Sequence, residues 1–527
     1  MARLHEYQGK ELLKSHKVPV PKGRVASTPE EARQVAEELG GEVMVKAQAW
    51  VTGRASMGGI RRASTPEEAE SVAREMLGMP VKGFTVRQVL VEERLDIAQE
   101  FYAGVIVDDR SQAPVVIFSS MGGTGIEEIA REHPDKVARL TVDIVEGLQD
   151  YQARDLIRTV GMHGELLRSL GAVVESLYQV ARTYEARSAE INPLVVTGDG
   201  KVVAADCRVT VDDYAVFRHP ELGIEIAREF DRPPTELEKI AYQVEAKDYR
   251  GTFYFIQMAE GFEKGEGYIG FHGAGGGGSM MSMDALLSRG YKLATYVDTS
   301  GNPPASKVYR AARIVLSLPG IDGYFASGSG VASQEQFHSA RGLVKAFLED
   351  HLLVPAVIRL GGNMEEKAME ILQRAAPQIP APLEAYGKDD SADFCAERLD
   401  ALIKEGEIKD LPVPGPRPEP QEPYTFESPT GTVTYDHAVC DTCESKVCVK
   451  ECVRQILKLE DGRPVLNITR EDAKRGRCVE CLACEVECHF AGAGGGHVDL
   501  AILGLEEYRK GFAEALATKP LPVQGRG

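Results

Sequence analysis

Eight of the ten cysteines fall between Cys440 and Cys488, and this crowding constrains the fold more than any other feature. The first group, Cys440, Cys443, Cys448 and Cys452, is spaced C-x2-C-x4-C-x3-C. The second, Cys478, Cys481, Cys484 and Cys488, is spaced C-x2-C-x2-C-x3-C. The opening MARLHEYQGKELL has no apolar stretch of the signal-peptide kind, and no run of 18 apolar residues occurs anywhere, so a cytoplasmic protein without a membrane span is expected. In that compartment, clustered thiols favour metal over disulfides. Between the groups, VRQILKLEDGRPVLNITREDAKRG has a DG turn and apolar alternation, which predicts a short hairpin and then a helical turn.

The second group resembles the bacterial ferredoxin run, in which three close thiolates hold one cubane and the fourth ligates the other. The resemblance implies one [4Fe-4S] cluster on Cys440, Cys443, Cys448 and Cys488, and another on Cys478, Cys481, Cys484 and Cys452. Two structural zinc sites would also use four cysteines each, and stay open as the alternative. The pattern departs from ferredoxins in the four residues between Cys443 and Cys448 and in His489, which stands where a proline is usual. A [3Fe-4S] centre at the first site is therefore open too. The use of such a pair is one-electron transfer; the plainer reading is that the clusters only hold the module together.

The remaining sequence divides by pattern. Residues 1–235 alternate helical and strand signals, with a helix over LHEYQGKELLKSHKV and strands over Glu42–Ala47 and Gln88–Glu92. Residues 236–405 repeat a strand, glycine loop, helix rhythm, which predicts a doubly wound parallel sheet. Residues 406–430 include LPVPGPRPEPQEPYTFESPT and read as a semi-extended, flexible linker. The cysteine module takes 431–510 and the tail 511–527, whose last residues, ATKPLPVQGRG, read as disordered. No repeat is expected beyond the cysteine duplication.

The stretches LHEYQGKELL, VMVKAQAWVTGRASMGGI, VLVEERLDIAQEFYAGVIVD and AEINPLVVT occur in one order over about the first 220 residues. They resemble the β subunit of succinyl-CoA synthetase and its relatives. The fold implied is α/β and α+β multidomain: an ATP-grasp domain, a flavodoxin-like doubly wound CoA-ligase domain, and a small ferredoxin-like domain. The resemblance assigns Lys46 to the ATP phosphates, with Gly53, Arg54, Ala55, Gly58 and Gly59 in a loop that brings backbone close to phosphate. Ala55 replaces a usual glycine. Val91 and Glu92 fall in the hinge strand by the adenine and ribose, and Glu100 matches an acid near the nucleotide. Asn192 and Asp206 are the implied Mg²⁺ ligands, and their hard oxygens suit that ion. Glu190 alternates with Asn192 along one strand and would orient a phosphorylated histidine. Met121 stands where relatives carry an acid before Gly122 and Gly123.

The second domain matches the same family less closely. Its candidate substrate and phosphate loops are His272, Gly273, Ala274 and Gly275, then Asp298-Thr-Ser-Gly-Asn-Pro, then Ser327, Gly328, Ser329 and Gly330, then Arg359-Leu-Gly-Gly-Asn363. Each is expected between a strand end and a helix start, where free N–H groups and the helix dipole favour an anion. A histidine such as His272 is more often a hydrogen-bonded core residue than a catalyst. Changes in these loops suggest an acid other than succinate.

The family reaction implied uses Mg-ATP, a carboxylic acid and CoA. It passes through phosphohistidine and acyl phosphate to a thioester. The phosphorylated histidine and the CoA-binding domain belong to a separate α subunit, which is expected as a partner here. A redox partner for the clusters is a further expectation. The net charge of −19 argues against nucleic acid or anionic membrane as partner. The acid and the choice of ATP or GTP stay open. The competing reading is a non-catalytic ATP-grasp scaffold that delivers an iron–sulfur carrier to a redox complex.

Overall fold

A computed structural model describes the chain apart from Met1, Thr52, Thr124, Glu225, residues 229–231, 249–251, Ser329 and 519–527, and without the side chains of 512–518. The chain forms two compact units, 1–233 and 234–527.

Besides the two-stranded ribbon of Pro80–Val81 with Phe84–Thr85, the first unit holds two antiparallel sheets. The smaller runs in the order Gly23–Ala26, Val89–Glu93, Val43–Ala47, Ile60–Ala63. Helices Pro29–Leu39 and Pro66–Met76 pack with it, burying Ala32, Val35, Ala36, Ala69, Ala73 and Met76. Both begin with the same S-T-P-E-E-A, an internal echo that the expectation of no further repeat missed. Thr28 and Thr65 each accept a hydrogen bond from a backbone N–H three residues on, and the following proline starts the helix, where its missing N–H costs nothing.

The larger sheet orders Ala2–Arg3, Cys207–Val211, Ala186–Thr197, Ile97–Asp108, Ala113–Ser119 and Val137–Thr141, with Val202–Ala204 pairing beside Ala186–Thr197. The 20-residue helix Gly164–Thr183 packs in its core through Leu170, Val174 and Leu177. The predicted first helix is Glu6–Ser15, and the predicted strands are Val43–Ala47 and Val89–Glu93.

The second unit is built on a six-stranded sheet in the order Tyr254–Gln257, Lys292–Asp298, Tyr268–Ala274, Gly323–Gly328, Ala356–Arg359, Leu383–Tyr386. Only the first strand is antiparallel. Counted from Tyr268–Ala274, the parallel strands follow the 2-1-3-4-5 order of flavodoxin-like folds. Helices Ala305–Leu316 and Phe337–Glu349 are buried along nearly their whole lengths.

The cysteine module belongs to this same unit. It has a three-stranded sheet, Pro423–Glu427, Thr432–Asp436 and Gly496–Asp499, and the expected hairpin, Leu457–Glu460 with Arg463–Leu466. Asp461 and Gly462 turn it with positive φ of 51° and 77°, as a type I′ turn requires. The expected helical turn is Arg470–Asp472.

Three domain expectations are corrected. The expected linker contains strand Pro423–Glu427, because alternating Tyr424 and Phe426 give it a face to bury. Nor does its proline-rich part hang free: Arg417 donates to Glu485 at 2.8 Å, and the Lys409 N–H bonds the Pro380 carbonyl. The expected tail begins inside helix Leu505–Thr518; residues 519–527 lie outside the described residues.

Candidate functional site

Helix Glu6–Ser15 places Glu6 and Lys10 one turn apart on a single face, and both are buried. Lys46 comes from the centre of the small sheet and Glu92 from the neighbouring strand. Lys46 Nζ meets Glu92 at 2.5 Å, Glu6 at 3.0 Å and the Ala205 carbonyl at 2.7 Å. Lys10 Nζ bonds the same three groups, at 2.6 Å, 2.8 Å and 2.8 Å. Arg54 spans Glu6 at 2.7 Å and Asp206 at 2.9 Å, and donates to the Ala47 carbonyl.

Three cations thus face three carboxylates. Burial alone would lower the Lys46 pKa, but Glu6 and Glu92 raise it above its ordinary value. Burial also opposes the charge of Arg54, and Glu6 and Asp206 again prevail. Asp206 goes the other way: burial and then the Glu6 charge raise its pKa against the pull of Arg54 and the two lysines. Glu6 and Lys10 were not singled out by sequence. Their signal was an acid and a base at i,i+4 on a helix whose other buried residues are apolar.

The candidate metal ligands sit on one hairpin. Glu190 pairs with Arg208, Ile191 with Cys207, and Leu194 with Ala204, so the register sets Asn192 opposite Asp206. Asn192 Oδ1 accepts from the Gly123 N–H at 2.9 Å. Gly123 has φ 85° and leaves no room for a Cβ beside Glu100 Oε2. The Met121-Gly122-Gly123 turn thus lies against Glu100 and Asn192 although Met121 stands where relatives carry an acid. Glu190 accepts from Tyr102 Oη at 3.2 Å, and Arg208 lies 3.9 Å away. Burial, then the Glu190 charge, raise the Tyr102 pKa and keep the phenol a donor. Gly53 has φ 74°, and its carbonyl takes the Ser56 hydroxyl, while Ala55 begins the tight turn Ala55–Met57. An alanine fits there because Ala55 itself does not need positive φ. Two hard oxygen donors across one hairpin, with a carboxylate nearby, suit Mg²⁺.

In the second unit the glycine loops lie at the carboxyl ends of neighbouring strands Tyr268–Ala274 and Gly323–Gly328, where the strand order reverses. Gly275, with φ 100°, leads into helix Gly276–Leu287, and its N–H bonds Asp298 at 3.2 Å. Gly273 is packed against Ser279, and Ala274 ends the strand. Ser327 is buried and bonds Ser282 at 2.7 Å. Gly328 and Gly330 lie beside Arg359, whose guanidinium donates to the Gly328 and Asp390 carbonyls. Ser329 lies outside the described residues. His272 does not join the loop. It is buried mid-strand with Nδ1 2.6 Å from Tyr324 Oη and Nε2 3.1 Å from Thr299 Oγ1, and burial lowers its pKa to about 3. With both ring nitrogens engaged, it serves the core.

The eight thiols segregate. Cys440 lies among Cys443, Cys448 and Cys488, whereas Cys484 lies among Cys452, Cys478 and Cys481. Cys452, Cys478, Cys481 and Cys484, with Cys448, line one apolar pocket with Tyr435, Val433, Val498 and Leu482. Among the described residues, no three His, Cys, Asp or Glu side chains converge as ligands of a single ion. Burial raises the thiols of Cys440 and Cys478 to about 12 and of Cys448 to about 11.

The module docks through acids placed between its cysteines. Glu480 is buried and accepts from Ser306, Ser428 and Thr430. Glu485 meets Lys345 at 2.8 Å. Glu487 meets Arg341 at 3.0 Å and Arg374 at 2.5 Å. His489 bonds Gln378 at 2.8 Å. Their signal in the sequence was C-V-E-C-L-A-C-E-V-E-C, acids among apolar residues with no solvent-facing period.

A charge cluster beside a small antiparallel sheet, followed by a doubly wound sheet with glycine loops, defines an ATP-grasp protein joined to a doubly wound α/β domain. An ATP-grasp domain model matches residues 3–196, and an ATP citrate lyase citrate-binding model matches 263–400. The GDP-forming succinate–CoA ligase β subunit of Thermus thermophilus is 39% identical over 383 residues, covering 72% of this chain and 96% of that protein. The ADP-forming β subunit 1 of Archaeoglobus fulgidus is 39% identical over 382 residues, 72% and 95% of the two chains. The structure of ATP citrate lyase from Methanothrix soehngenii has the same fold, with TM-score 0.63 at 20% identity over 77% of this chain and 99% of that one. The chain belongs to the family of succinate–CoA ligase β subunits, and is thereby an enzyme of the acid–thiol ligase class. Among the described residues no helix is long and apolar enough to cross a membrane.

Proposed function

We propose that this chain is the β subunit of an ADP-forming acid–CoA ligase that works with a separate α subunit carrying the phosphorylated histidine and the CoA-binding domain. The convergence of Lys46, Arg54 and Asp206 on one buried charge cluster carries this reading. The cluster is neutral as it stands, so an anionic nucleotide must bring its own cation or re-partner Lys46 and Arg54. Bound Mg²⁺ would supply Lewis-acid neutralisation of the phosphates, held by Asn192 and Asp206. Lys46 and Arg54 would then turn to phosphate oxygens, and Glu190, held by Tyr102, would orient the imidazole of the α subunit.

Each transfer trades one phosphate bond for another. The γ-phosphate passes from ATP to imidazole, leaving ADP, and then to a carboxylate, freeing the imidazole. The CoA thiol displaces phosphate from the acyl phosphate, leaving thioester, inorganic phosphate and a proton. The glycine loops beside Arg359 would hold the acyl phosphate or the imidazole through backbone N–H groups. Calorimetry of the full chain with ATP, with and without Mg²⁺, tests the first step: magnesium-dependent binding is expected, and its absence from folded protein would sink the enzymatic reading. Phosphorylation of a co-purified α subunit separates a ligase from a scaffold.

We further propose that the thiols hold two iron–sulfur clusters. The separation of the thiols into two crossed quartets, each combining both cysteine groups, supports it. Thiols that line a space, rather than meet at a point, suit a multi-atom cluster better than a tetrahedral zinc with Zn–S of about 2.3 Å. A cluster's iron would offset the cost of thiolates in a pocket that otherwise keeps them protonated. Iron and sulfide analysis with EPR of the reduced protein tests this, and stoichiometric zinc without iron would overturn it.

A further inference from the structure

The cysteine module is polarised by charge. Its inner acids, Glu451, Glu485 and Glu487, are taken up by Lys367, Lys345, Arg341 and Arg374. The stretch 453–477 carries seven basic and four acidic residues, on a chain whose net charge is −19. Two of its arginines flank one set of thiols. Arg454 lines the pocket shared by Cys452, Cys478, Cys481 and Cys484. Lys474, Arg475 and Arg477 are exposed and lead directly into Cys478. Lys474 pairs with Glu427 and Arg475 with Glu471, but Arg454 and Arg477 have no ion pair among the described residues. In this set Cys452, Cys478, Cys481 and Cys484 are half-buried; in the other, Cys443 is half-buried and Cys440, Cys448 and Cys488 are buried.

We infer that this basic rim is a docking surface for an acidic, one-electron carrier protein. The inference rests on the iron–sulfur reading above and names the partner's chemistry. Exposed charges farther apart than a Debye length of about 8–10 Å are largely screened, so a docking protein feels the local cations of this rim more than the chain's overall negative charge. Only a face that reverses the net sign admits such a partner, so the rim selects both the partner and its orientation. A cluster held by Cys452, Cys478, Cys481 and Cys484 would supply one-electron chemistry: one electron would pass per encounter, the donor oxidised and the acceptor reduced by one, with no bond made or broken.

The test uses the full chain, reduced with dithionite, with its EPR signal recorded first. Its oxidation is followed by stopped flow with anionic hexacyanoferrate(III) and cationic hexaammineruthenium(III), at rising ionic strength. The sign of the salt effect reads the charge at the site of electron exchange, whatever the driving force of each oxidant. The expected result is that the anion slows with salt and the cation quickens. In the double variant R454E/R477E the anion rate at low salt should fall about tenfold and its salt effect should reverse, with the EPR signal unchanged. Opposite salt effects in the parent protein, or an unchanged variant with intact signal, would overturn the docking surface alone. Absence of any cluster signal would remove the iron–sulfur reading and the inference with it.

Discussion

Two buried charge networks in this chain are built from the same residue types to opposite ends. In the first unit, Glu6, Glu92 and Asp206 face Lys10, Lys46 and Arg54. Lys10 and Lys46 duplicate one another, both bonding Glu6, Glu92 and the Ala205 carbonyl, so either can leave without stranding a carboxylate. In the second unit, Arg341 has no exposed side-chain surface and is locked to Glu487, itself only 6% exposed. One network is redundant and poised to exchange partners; the other is sealed. Redundancy is what a site needs if its cations are to turn toward a ligand, and sealing is what a permanent interface needs.

The largest effect that would break this comparison is on stability. Glu487→Ala leaves Arg341 buried beside only Glu451, and loss of one partner of a buried pair costs about 3–5 kcal/mol. Urea unfolding of the full chain should show the second unit destabilised by an amount of that order. A loss below about 1 kcal/mol would mean that the module docks loosely. Lys46→Met should do the reverse: magnesium-dependent ATP binding weakened by tenfold or more, about 1.4 kcal/mol, with a smaller loss of stability than Glu487→Ala, because Lys10 still bonds Glu6 and Glu92 although the cluster is left one charge negative. Equal damage to binding and folding would erase the distinction.

Asp206→Asn sharpens the nucleotide side. It removes a carboxylate whose pKa burial already raises, so folding should tolerate it. The magnesium dependence of nucleotide binding should shift to higher metal concentration, measured by titrating Mg²⁺ at constant ATP. The smallest effect is a pH slope in the second unit. His272 has a folded pKa of about 3, below its ordinary value, so the unfolded chain binds the extra proton between those limits. Stability contributed by the neutral ring is full above the unfolded value of about 6.5 and falls as pH drops below it, by at most about 1.4 kcal/mol per pH unit. Unfolding at pH 7 and pH 5.5 should show this loss in the parent chain and a flatter dependence in His272→Gln.

Much of the nucleotide half was legible because its signals are local: helical periodicity over LHEYQGKELLKSHKV and strand patterns around Lys46 and Glu92, whereas the capping threonines Thr28 and Thr65 went unread. Glu6 and Lys10 were hidden because a charged pair at i,i+4 on a helix is usually solvated, and only packing against the strand bearing Cys207 buries them. The proline-rich stretch misled for the opposite reason. Its composition forbids helix, yet says nothing about whether an extended chain will lie on a surface, and Arg417 settles that by reaching Glu485.

By itself the sequence determined the two α/β bodies, the hairpin at Asp461-Gly462, and the grouping of eight thiols, because each follows from periodicity, turn chemistry or spacing along the backbone. Only the tertiary structure decided that His272 belongs to the core, that the cysteine module is fused to the second body, and that its acids face inward while Arg454 and Arg477 face out. Those outcomes depend on which surfaces meet. Residues far apart in the chain become neighbours there, and desolvation then decides which charges must find partners.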